Sequence, residues 1–184
     1  YDWYLGNELE FYLLDPTEDG GYDPATDHKH ECFSWATEAV SPFYDRLTEY
    51  AAGYDVELTS LQHEHGAGQL EVLFDYGRPL EQTDTTFDFK RLVKQTARLC
   101  DQRATFMAKP YGERSGSGYH IHVSAFDGGE NRFADDTGVL SDTGRHFAGG
   151  ILEHADALTA LSTPTLNSFK RFEPGGFAPY TASW

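Results

Sequence analysis

The nine residues Gly116–Ser124 constrain this chain more than any other stretch, because a glycine-rich loop there leads directly into alternating polar and apolar residues. The stretch is Gly-Ser-Gly-Tyr-His-Ile-His-Val-Ser. Side chains on a strand alternate between its two faces. His120, His122 and Ser124 would therefore share one face, and the apolar residues between them would share the other. This pattern predicts a strand whose polar face lines a cavity, although a half-solvated edge strand would have the same alternation.

Glutamates occur in a pattern that matches those histidines. Glu8 and Glu10 alternate along one predicted strand and share a face. Glu64 and Glu71 lie seven residues apart, close to a second pair of predicted strands. Carboxylates on one dry face repel one another and lose hydration, and Mg²⁺ or Mn²⁺ relieves both costs because these ions prefer carboxylate oxygens and accept imidazole. Together with His120 the glutamates predict a divalent metal site, whereas solvated glutamates on a surface strand would explain the Glu-x-Glu pair alone.

The charge balance disfavours some classes of partner. The chain has 184 residues, with 30 acidic against 14 basic side chains and a formal net charge of −16. Such a charge argues against nucleic acid and anionic membrane surfaces. The acidic residues are dispersed, which favours a solubilising acidic shell, as in proteins adapted to high salt, over an acidic tail. A hydrophobic content of 39% is sufficient for one domain with a core.

The cysteines and the hydropathy pattern predict a cytoplasmic protein. Cys32 and Cys100 form no spacing motif and imply no disulfide framework. No apolar run is long enough to span a bilayer, and the first residues lack a signal-peptide pattern. Both ends lack a closing element, so the chain is expected to be a fragment.

The periodicity predicts an α+β fold, with a mostly antiparallel sheet and helices on one side of it. The predicted strands span residues 4–14, 54–62, 69–76 and 104–109, and a fifth runs through residues 119–124 to a hairpin at residues 127–129. The predicted helices span residues 41–52, 85–103 and 142–161.

Local signals predict where the helices begin and break. Ser41 and Pro42 are typical of an N-cap and a first turn. Gly149-Gly150 predicts an interruption of the last helix, which is expected to pack through Phe147, Ile151, Leu152 and Leu158. Residues 15–30 are rich in Gly, Asp, Pro and Thr and are expected to form a long surface loop.

Five stretches together resemble the catalytic domain of glutamine synthetases, and most closely the branch that makes γ-glutamylpolyamines such as γ-glutamylputrescine. The stretches are residues 8–11, 63–71, 104–110, 116–124 and 164–172, in the family's order. The resemblance implies the antiparallel, guanido-kinase-like catalytic fold and places all of residues 1–184 in part of that domain. The N-terminal β-grasp domain and the C-terminal part of the catalytic domain would be absent.

The resemblance also implies a ligand set for two or more Mg²⁺ or Mn²⁺ ions. Glu10, Glu64 and Glu71 would hold the metal nearer the glutamate substrate. Glu8 and His120 would hold the metal that bridges the phosphates of ATP. The predicted reaction joins glutamate to an amine through γ-glutamyl phosphate, with ATP as a substrate.

Further site residues follow from the same resemblance. Arg171 would be catalytic and would position glutamate and its reacting carboxyl, together with the backbone of Gly116. His122 and Ser124 would line the ATP side. Glu57 is another ATP-side candidate, although its spacing before Glu64 does not match cleanly.

The loop after Lys170-Arg171 departs from the family pattern. Glutamine synthetases carry a glutamate there that helps to take a proton from ammonium, and Phe177 stands at that position. An apolar ring cannot accept a proton but can cover an alkyl or aromatic amine, which favours an amine larger than ammonia. A displaced loop in which Glu173 serves instead is the other interpretation. Ser115 stands where the family usually has an asparagine that contacts glutamate.

Several alternatives stay open at this level. Glutamine synthesis from ammonia is one, and a non-catalytic binding module derived from the family is another. A cupin-like metalloenzyme would need a third histidine and a barrel of short strands, which the long predicted helices disfavour. The family forms rings of subunits that share active sites, so a homo-oligomeric ring is expected for the full-length protein, and the 184-residue piece is expected to be inactive alone.

Overall fold

The computed structural model describes residues 1–29, 38–174 and 177–178, which contain a seven-stranded sheet with antiparallel pairings. The strands are β1 (Asp2–Pro16), β2 (Tyr22–Pro24), β3 (Leu58–His63), β4 (Gln69–Gly77), β5 (Arg103–Thr105), β6 (Tyr119–Asp127) and β7 (Glu130–Asn131). The helices are α1 (Ser41–Gly53), α2 (Pro79–Leu99), α3 (Asp142–Glu153), α4 (Ala155–Ser162) and α5 (Leu166–Phe169). The predicted α+β class is confirmed.

Strand β1 is the centre of the sheet. The order of strands is β3-β4-β1-β6-β7, and the short strands β2 and β5 also pair with β1. Along β1, Leu9, Phe11 and Leu13 are buried, while Glu8 and Glu10 alternate with them and are only half-buried. The period of two that defines a strand therefore separates a core face from a polar face.

Helices α1 and α2 cover the core face. Phe11 and Leu13 of β1 belong to the same buried cluster as Phe43 of α1 and as Phe89 and Val93 of α2. A fully buried side chain of this kind stabilises the fold by about 1.5–3 kcal/mol relative to an exposed one. Because both helices lie on one face, the opposite face of β1 and β6 is left for polar residues.

The helix boundaries differ in part from those predicted. Val40, not Ser41, is the N-cap of α1, and it makes no side-chain capping bond. The chain enters α1 from a 3₁₀ turn over residues 38–40, so Ser41 already lies in the first helical turn. Helix α2 begins at Pro79, six residues before the predicted start, because the fixed φ of proline suits a first helical position. It ends at Leu99, before the predicted end at residue 103, and β5 covers only Arg103–Thr105 of the strand predicted over residues 104–109.

The region predicted as one helix over residues 142–161 is two helices. The break lies at His154, which is the C-cap of α3 and the N-cap of α4, and not at Gly149-Gly150. The ring centroids of Phe147 and Trp3 lie 5.5 Å apart, so Phe147 is a packing residue as predicted. The expected packing through Ile151, Leu152 and Leu158 is wrong for the described part of the chain, where these side chains are 36–45% exposed.

The predicted surface loop over residues 15–30 contains strand β2, which pairs with Leu14–Pro16 of β1 in a hairpin. Cys100 is half-buried with a free thiol, and Cys32 lies outside the described residues, so the absence of a disulfide stays a prediction. Within the described ranges, none of the helices is both long and apolar enough to cross a membrane.

Candidate active site

The polar face of β1 meets the polar face of β6 at Glu8. The strand register places Glu8 opposite His120. Nδ1 of His120 lies 2.8 Å from Oε2 of Glu8, and Nε2 of His122 lies 2.7 Å from Oε1 of the same carboxylate. Burial raises the pKa of Glu8, but the hydrogen bonds from the two rings outweigh it and hold the pKa below its ordinary value. The alternation His-x-His thus brings two imidazoles onto one carboxylate.

Glu10 is fixed by backbone and side-chain donors. The Gly118 N–H donates to Oε2 of Glu10 at 2.8 Å, and Nε2 of Gln69 donates to the same oxygen at 2.7 Å. Gln69 is fully buried, and its Oε1 accepts the Gly66 N–H at 2.9 Å. A Cβ at Gly118 would lie 2.6 Å from Oε1 of Glu10, so only glycine allows this approach of the backbone.

Glu64 and Glu71 are held by one glutamine. Nε2 of Gln62 donates to Oε1 of Glu71 at 2.5 Å and lies 3.4 Å from Oε1 of Glu64. The register places Glu71 between Gln62 of β3 and Glu10 of β1. Burial, with the nearby charge of Glu64, raises the pKa of Glu71 to about 7. Burial and the charge of Glu10 raise the pKa of Glu64 as well.

The donor set fits a divalent cation. Glu8, Glu71 and His120 each offer one ligand atom, and these atoms lie within 4.8 Å of one another. Carboxylate oxygens with one imidazole are ligands that Mg²⁺ and Mn²⁺ accept. Burial and the charge of Glu64 disfavour the ionised form of Glu71 and raise its pKa, and a bound cation would offset both effects. This trio combines residues from both of the predicted metal sites, so the division of the ligands between two ions stays a proposal.

A pocket of about 240 Å³ adjoins the cluster and contains other predicted residues. Its lining residues are Lys109, Gly112, Glu113, Arg114, Ser115, Gly116, Arg171, Glu173, Phe177 and Ala178. A Cβ at Gly116 would lie 2.9 Å from Nε of Arg171 and 2.6 Å from the Ala108 carbonyl oxygen. The guanidinium of Arg171 is therefore packed directly on the Gly116 backbone, and the predicted roles of both toward glutamate stay predictions.

Phe177 and Glu173 occupy different positions in that pocket. The Phe177 ring is 77% exposed and meets the ring of His65, the neighbour of Glu64, edge to face with centroids 4.6 Å apart. The carboxylate of Glu173 lies 4.0 Å from Nζ of Lys109. Phe177 thus lies beside the metal-ligand candidates, while Glu173 is engaged with a lysine at the pocket wall.

Beyond His122 the same polar face continues into aromatic residues that the sequence analysis did not single out. The centroid of the Tyr4 ring lies 5.7 Å from the ring centroid of Tyr76 and 5.6 Å from that of Phe126. The Arg78 guanidinium lies 4.9 Å from the centre of the Tyr4 ring. Ser124 pairs with Tyr4 across β1 and β6. The alternation that singled out His120 and His122 extends to Phe126 and could have identified part of this group.

Glu57 lies apart from the carboxylates just described. It is exposed and precedes β3, an edge strand, and its carbonyl oxygen accepts the Asp75 N–H at 3.2 Å. Its predicted role beside ATP stays a prediction. Gln62 and Gln69 were missed because nothing in their local spacing separates a polar side chain that holds a ligand from one that faces solvent.

Comparisons with known proteins show which family the chain belongs to. The family model described as "Glutamine synthetase, catalytic domain" matches residues 1–184. A glutamine synthetase of Halobacterium salinarum is 40% identical over 190 residues, which cover 100% of this chain and 41% of that protein. A glutamine synthetase of Pyrococcus abyssi is 38% identical over 195 residues, which cover 98% and 41%. The chain thus spans about two fifths of the length of these relatives.

Solved structures show the same fold. A structure described as "Apo GmaS without ligand" superposes with a TM-score of 0.81 at 35% identity, over 94% of this chain and 42% of that one. A cryo-EM structure of Plasmodium falciparum glutamine synthetase superposes with a TM-score of 0.76 at 24% identity, over 95% and 40%. The chain belongs to the glutamine synthetase catalytic domain family.

Proposed function

We propose that the protein containing this chain is an ATP-dependent ligase that joins the γ-carboxyl of glutamate to an amine, with residues 1–184 forming part of its catalytic domain. The observation that carries this proposal is the adjacency of two groups. The carboxylate and histidine cluster on β1, β4 and β6 lies next to a pocket lined by Gly116 and Arg171.

The cluster supports a role in binding Mg²⁺ or Mn²⁺. Glu10, Glu64 and Glu71 would hold one ion, and Glu8 with His120 would hold a second. When bound, such ions neutralise the phosphates of ATP and orient the reacting groups. Gly118 and Gln69 would keep Glu10 in place, since both donate to one of its oxygens and leave the other available.

Arg171 and Gly116 support the amino-acid side of the reaction. A guanidinium offers parallel N–H donors that match a carboxylate or a phosphoryl group bidentately. Packed on the Gly116 backbone, Arg171 would hold the γ-carboxylate of glutamate in line with the γ-phosphate of ATP. Attack of that carboxylate releases ADP and forms γ-glutamyl phosphate, and the amine then displaces inorganic phosphate to leave an amide.

The other end of the cluster supports nucleotide binding. His122 and Ser124 face the same side as Tyr4 and Phe126, and aromatic faces with a neighbouring arginine suit a stacked purine. Glu57 is retained as a further candidate at that end. A second GmaS structure, described as an ADP complex, superposes with a TM-score of 0.80 at 34% identity, which also favours a nucleotide substrate.

Phe177 favours an alkyl or aromatic amine over ammonia. Its exposed ring lies beside His65 and lines the pocket, where it would cover the carbon chain of an amine such as putrescine. It cannot take a proton from ammonium. Glutamine synthesis from ammonia is the second candidate, and Glu173, a carboxylate of the pocket wall, would then take the proton instead.

The experiment uses the full-length protein, because this chain alone is expected to be inactive. ATP- and glutamate-dependent phosphate release is measured with ammonium, putrescine, spermidine, ethanolamine and an aromatic amine in parallel. The Phe177→Glu variant tests the acceptor argument, with Phe177→Leu as its apolar control. Size-exclusion chromatography with light scattering then tests the expected ring of subunits.

Each outcome has a definite meaning. Phosphate release with an alkyl amine but not with ammonium supports the γ-glutamylamine assignment, and Phe177→Glu should then move activity toward ammonium. Ammonium as the best acceptor for the unmodified protein would make it a glutamine synthetase. No phosphate release with any amine would overturn the ligase proposal in favour of a non-catalytic binding module.

A further inference from the structure

Gln69 lies at the start of β4 and uses its whole side-chain amide in hydrogen bonds. The residue is only 1% exposed. Its Nε2 donates to Oε2 of Glu10 at 2.7 Å and to the Gly116 carbonyl oxygen at 3.1 Å, and its Oε1 accepts the Gly66 N–H at 2.9 Å. The reverse orientation of the amide would set its oxygen against two acceptors and its nitrogen against a donor. One side chain therefore joins a carboxylate of β1, the loop before β6 and the turn between β3 and β4.

Two buried side chains hold the loop Ser115–Gly118 on the sheet. The Tyr12 hydroxyl donates to the Ser115 carbonyl oxygen at 2.7 Å, and Gln69 binds the next carbonyl along the chain. Tyr12 makes no hydrogen bond to a carboxylate in the described ranges, so it is a structural support of the loop. Gln69 differs because the same nitrogen also contacts Glu10. A displacement of Glu10 therefore acts on the loop through one amide.

Glu10 also contacts the far end of this loop directly. The Gly118 N–H donates to Oε2 of Glu10 at 2.8 Å, and the Gly118 carbonyl oxygen accepts the Glu10 N–H at 3.2 Å. These bonds fix the last loop residue, where β6 begins. The Gly116 carbonyl oxygen, in contrast, accepts from Gln69 and from no other donor among the described residues. The middle of the loop is thus connected to Glu10 by the Gln69 amide.

A cation bound at the cluster would hold Glu10 in this position. Burial and the charge of Glu10 raise the pKa of Glu64, so the carboxylates of the cluster repel one another. A divalent cation between them would replace this repulsion by attraction. Oε2 of Glu10 already has two donors from the chain, and Oε1 is the oxygen left for an ion. An ion that holds Oε1 keeps Oε2 where Gln69 and Gly118 donate to it.

We infer that Gln69 is a positioning residue that transmits the occupation of the metal site at Glu10 to the backbone of the loop Ser115–Gly118. Cation binding then lowers the population of loop conformations in which the Gly116 carbonyl is released. Coupling of this kind is reciprocal, so a fixed loop also binds the cation more tightly. The inference rests on the cation-binding role in the proposed function and deepens it, because the ion would order the loop as well as neutralise phosphate.

Hydrogen–deuterium exchange of the full-length protein tests this coupling without any turnover. The backbone amides of residues 112–117 are followed with a chelator and with saturating Mn²⁺, and the ratio of the two exchange rates is the readout. In wild type, Mn²⁺ should slow exchange about 10-fold, which is within the range typical of coupling between sites. In Gln69→Met, an unbranched apolar replacement, the ratio should fall below about 2-fold because the amide bridge is lost.

Two control variants separate coupling from structural support. Gln62→Met removes the amide that donates to Glu71, and Gln62 makes no hydrogen bond to the loop in the described ranges. It should weaken Mn²⁺ binding about 10-fold, as expected for loss of a group that orients a metal ligand, and keep the wild-type exchange ratio. Tyr12→Phe removes the Ser115 contact. It should speed exchange with and without Mn²⁺ alike, which leaves the ratio unchanged.

A second variant at the same position keeps a polar group in the buried site. Gln69→Asn retains an amide but is shorter by one methylene, so its nitrogen cannot reach both Glu10 and the Gly116 carbonyl. It should lose the Mn²⁺ effect as Gln69→Met does, and circular dichroism checks that each variant is folded. An Mn²⁺ effect of wild-type size in a folded Gln69 variant would overturn the inference, because the Gly118 contact would then carry the coupling alone. Equal exchange of wild type with and without Mn²⁺ would overturn it as well.

Phosphate release by the same preparation distinguishes failure of this inference from failure of the proposed function. If no amine supports phosphate release but the Mn²⁺ effect on the loop depends on Gln69, the ligase proposal fails and the inference stands. If wild type turns over and the loop responds neither to Mn²⁺ nor to the loss of Gln69, the inference fails alone. If wild type neither turns over nor binds Mn²⁺ in isothermal titration, both fail.

Discussion

At the scale of single residues, Glu71 shows that a side chain of the candidate site can lower the stability of the fold. Its pKa lies at about 7, above the ordinary 4.5, because burial and the charge of Glu64 disfavour the ionised form. Between these pH values the folded protein keeps a proton that the unfolded chain releases. The free energy of unfolding of the metal-free protein therefore falls as pH rises through this window.

The Glu71→Gln variant tests this linkage. The amide still accepts from Gln62 but cannot ionise, so we expect it to lose the decrease in stability between pH 4.5 and about 7, which is on the order of 3 kcal/mol. Urea denaturation with a chelator present at several pH values measures it. Glu49→Gln, at an exposed position of α1, is the control. A pH slope in Glu71→Gln equal to that of wild type would contradict the prediction.

A second prediction at the residue scale concerns Gly118. In Gly118→Ala the new methyl group would lie 2.6 Å from Oε1 of Glu10, so the carboxylate must move. We expect ATP-dependent phosphate release by the full-length protein to fall by about tenfold or more, since misplacing a reacting group by about 1 Å has effects of that size. Gly112→Ala, in the same loop with nothing within 4 Å, should remain active. Equal activity of the two variants would show that the Gly118 contact is unimportant.

At the scale of elements, a buried hydrogen bond connects β1 to α2. Nδ2 of Asn7 donates to Oγ1 of Thr86 at 2.8 Å, and both side chains are buried. In Thr86→Val the amide of Asn7 loses this acceptor, and we expect a loss of about 1–3 kcal/mol in the free energy of unfolding. Thr85→Val, at a half-buried position one residue earlier, is the control for the loss of a threonine hydroxyl from α2. Similar stability of the two variants would count against the bond.

Alternation of polar and apolar residues along one segment predicted the elements that depend only on that segment. The alternation around Glu8 and His120 predicted β1 and β6, whereas the break at His154 departs from the Gly149-Gly150 signal. Neither glycine has a positive φ, and α3 continues through both to Glu153. The placement of Glu71 opposite Glu10 depends on non-local register, which no single segment encodes.

At the scale of the whole molecule, charge acts on the fold as well as on the site. The formal net charge is −16, so the excess acidic side chains repel one another in the compact state. Salt at 0.1 M screens the interaction between charges that are farther apart than about 10 Å. Glu18 and Asp136 are among the exposed acidic residues. Screening therefore favours the folded state over the expanded one, while close pairs such as Glu8 with His120 are screened less.

We therefore expect the melting temperature to rise by several degrees between low salt and about 1 M KCl, where the screening length falls to about 3 Å. The double variant Glu18→Lys and Asp136→Lys changes the formal net charge from −16 to −12. It should be more stable at low salt and gain less from KCl than wild type. Replacing KCl by NaCl at equal ionic strength should give the same curve, because screening depends on ionic strength. A melting temperature that falls with salt, or an equal salt response in the double variant, would show that self-repulsion does not limit this fold.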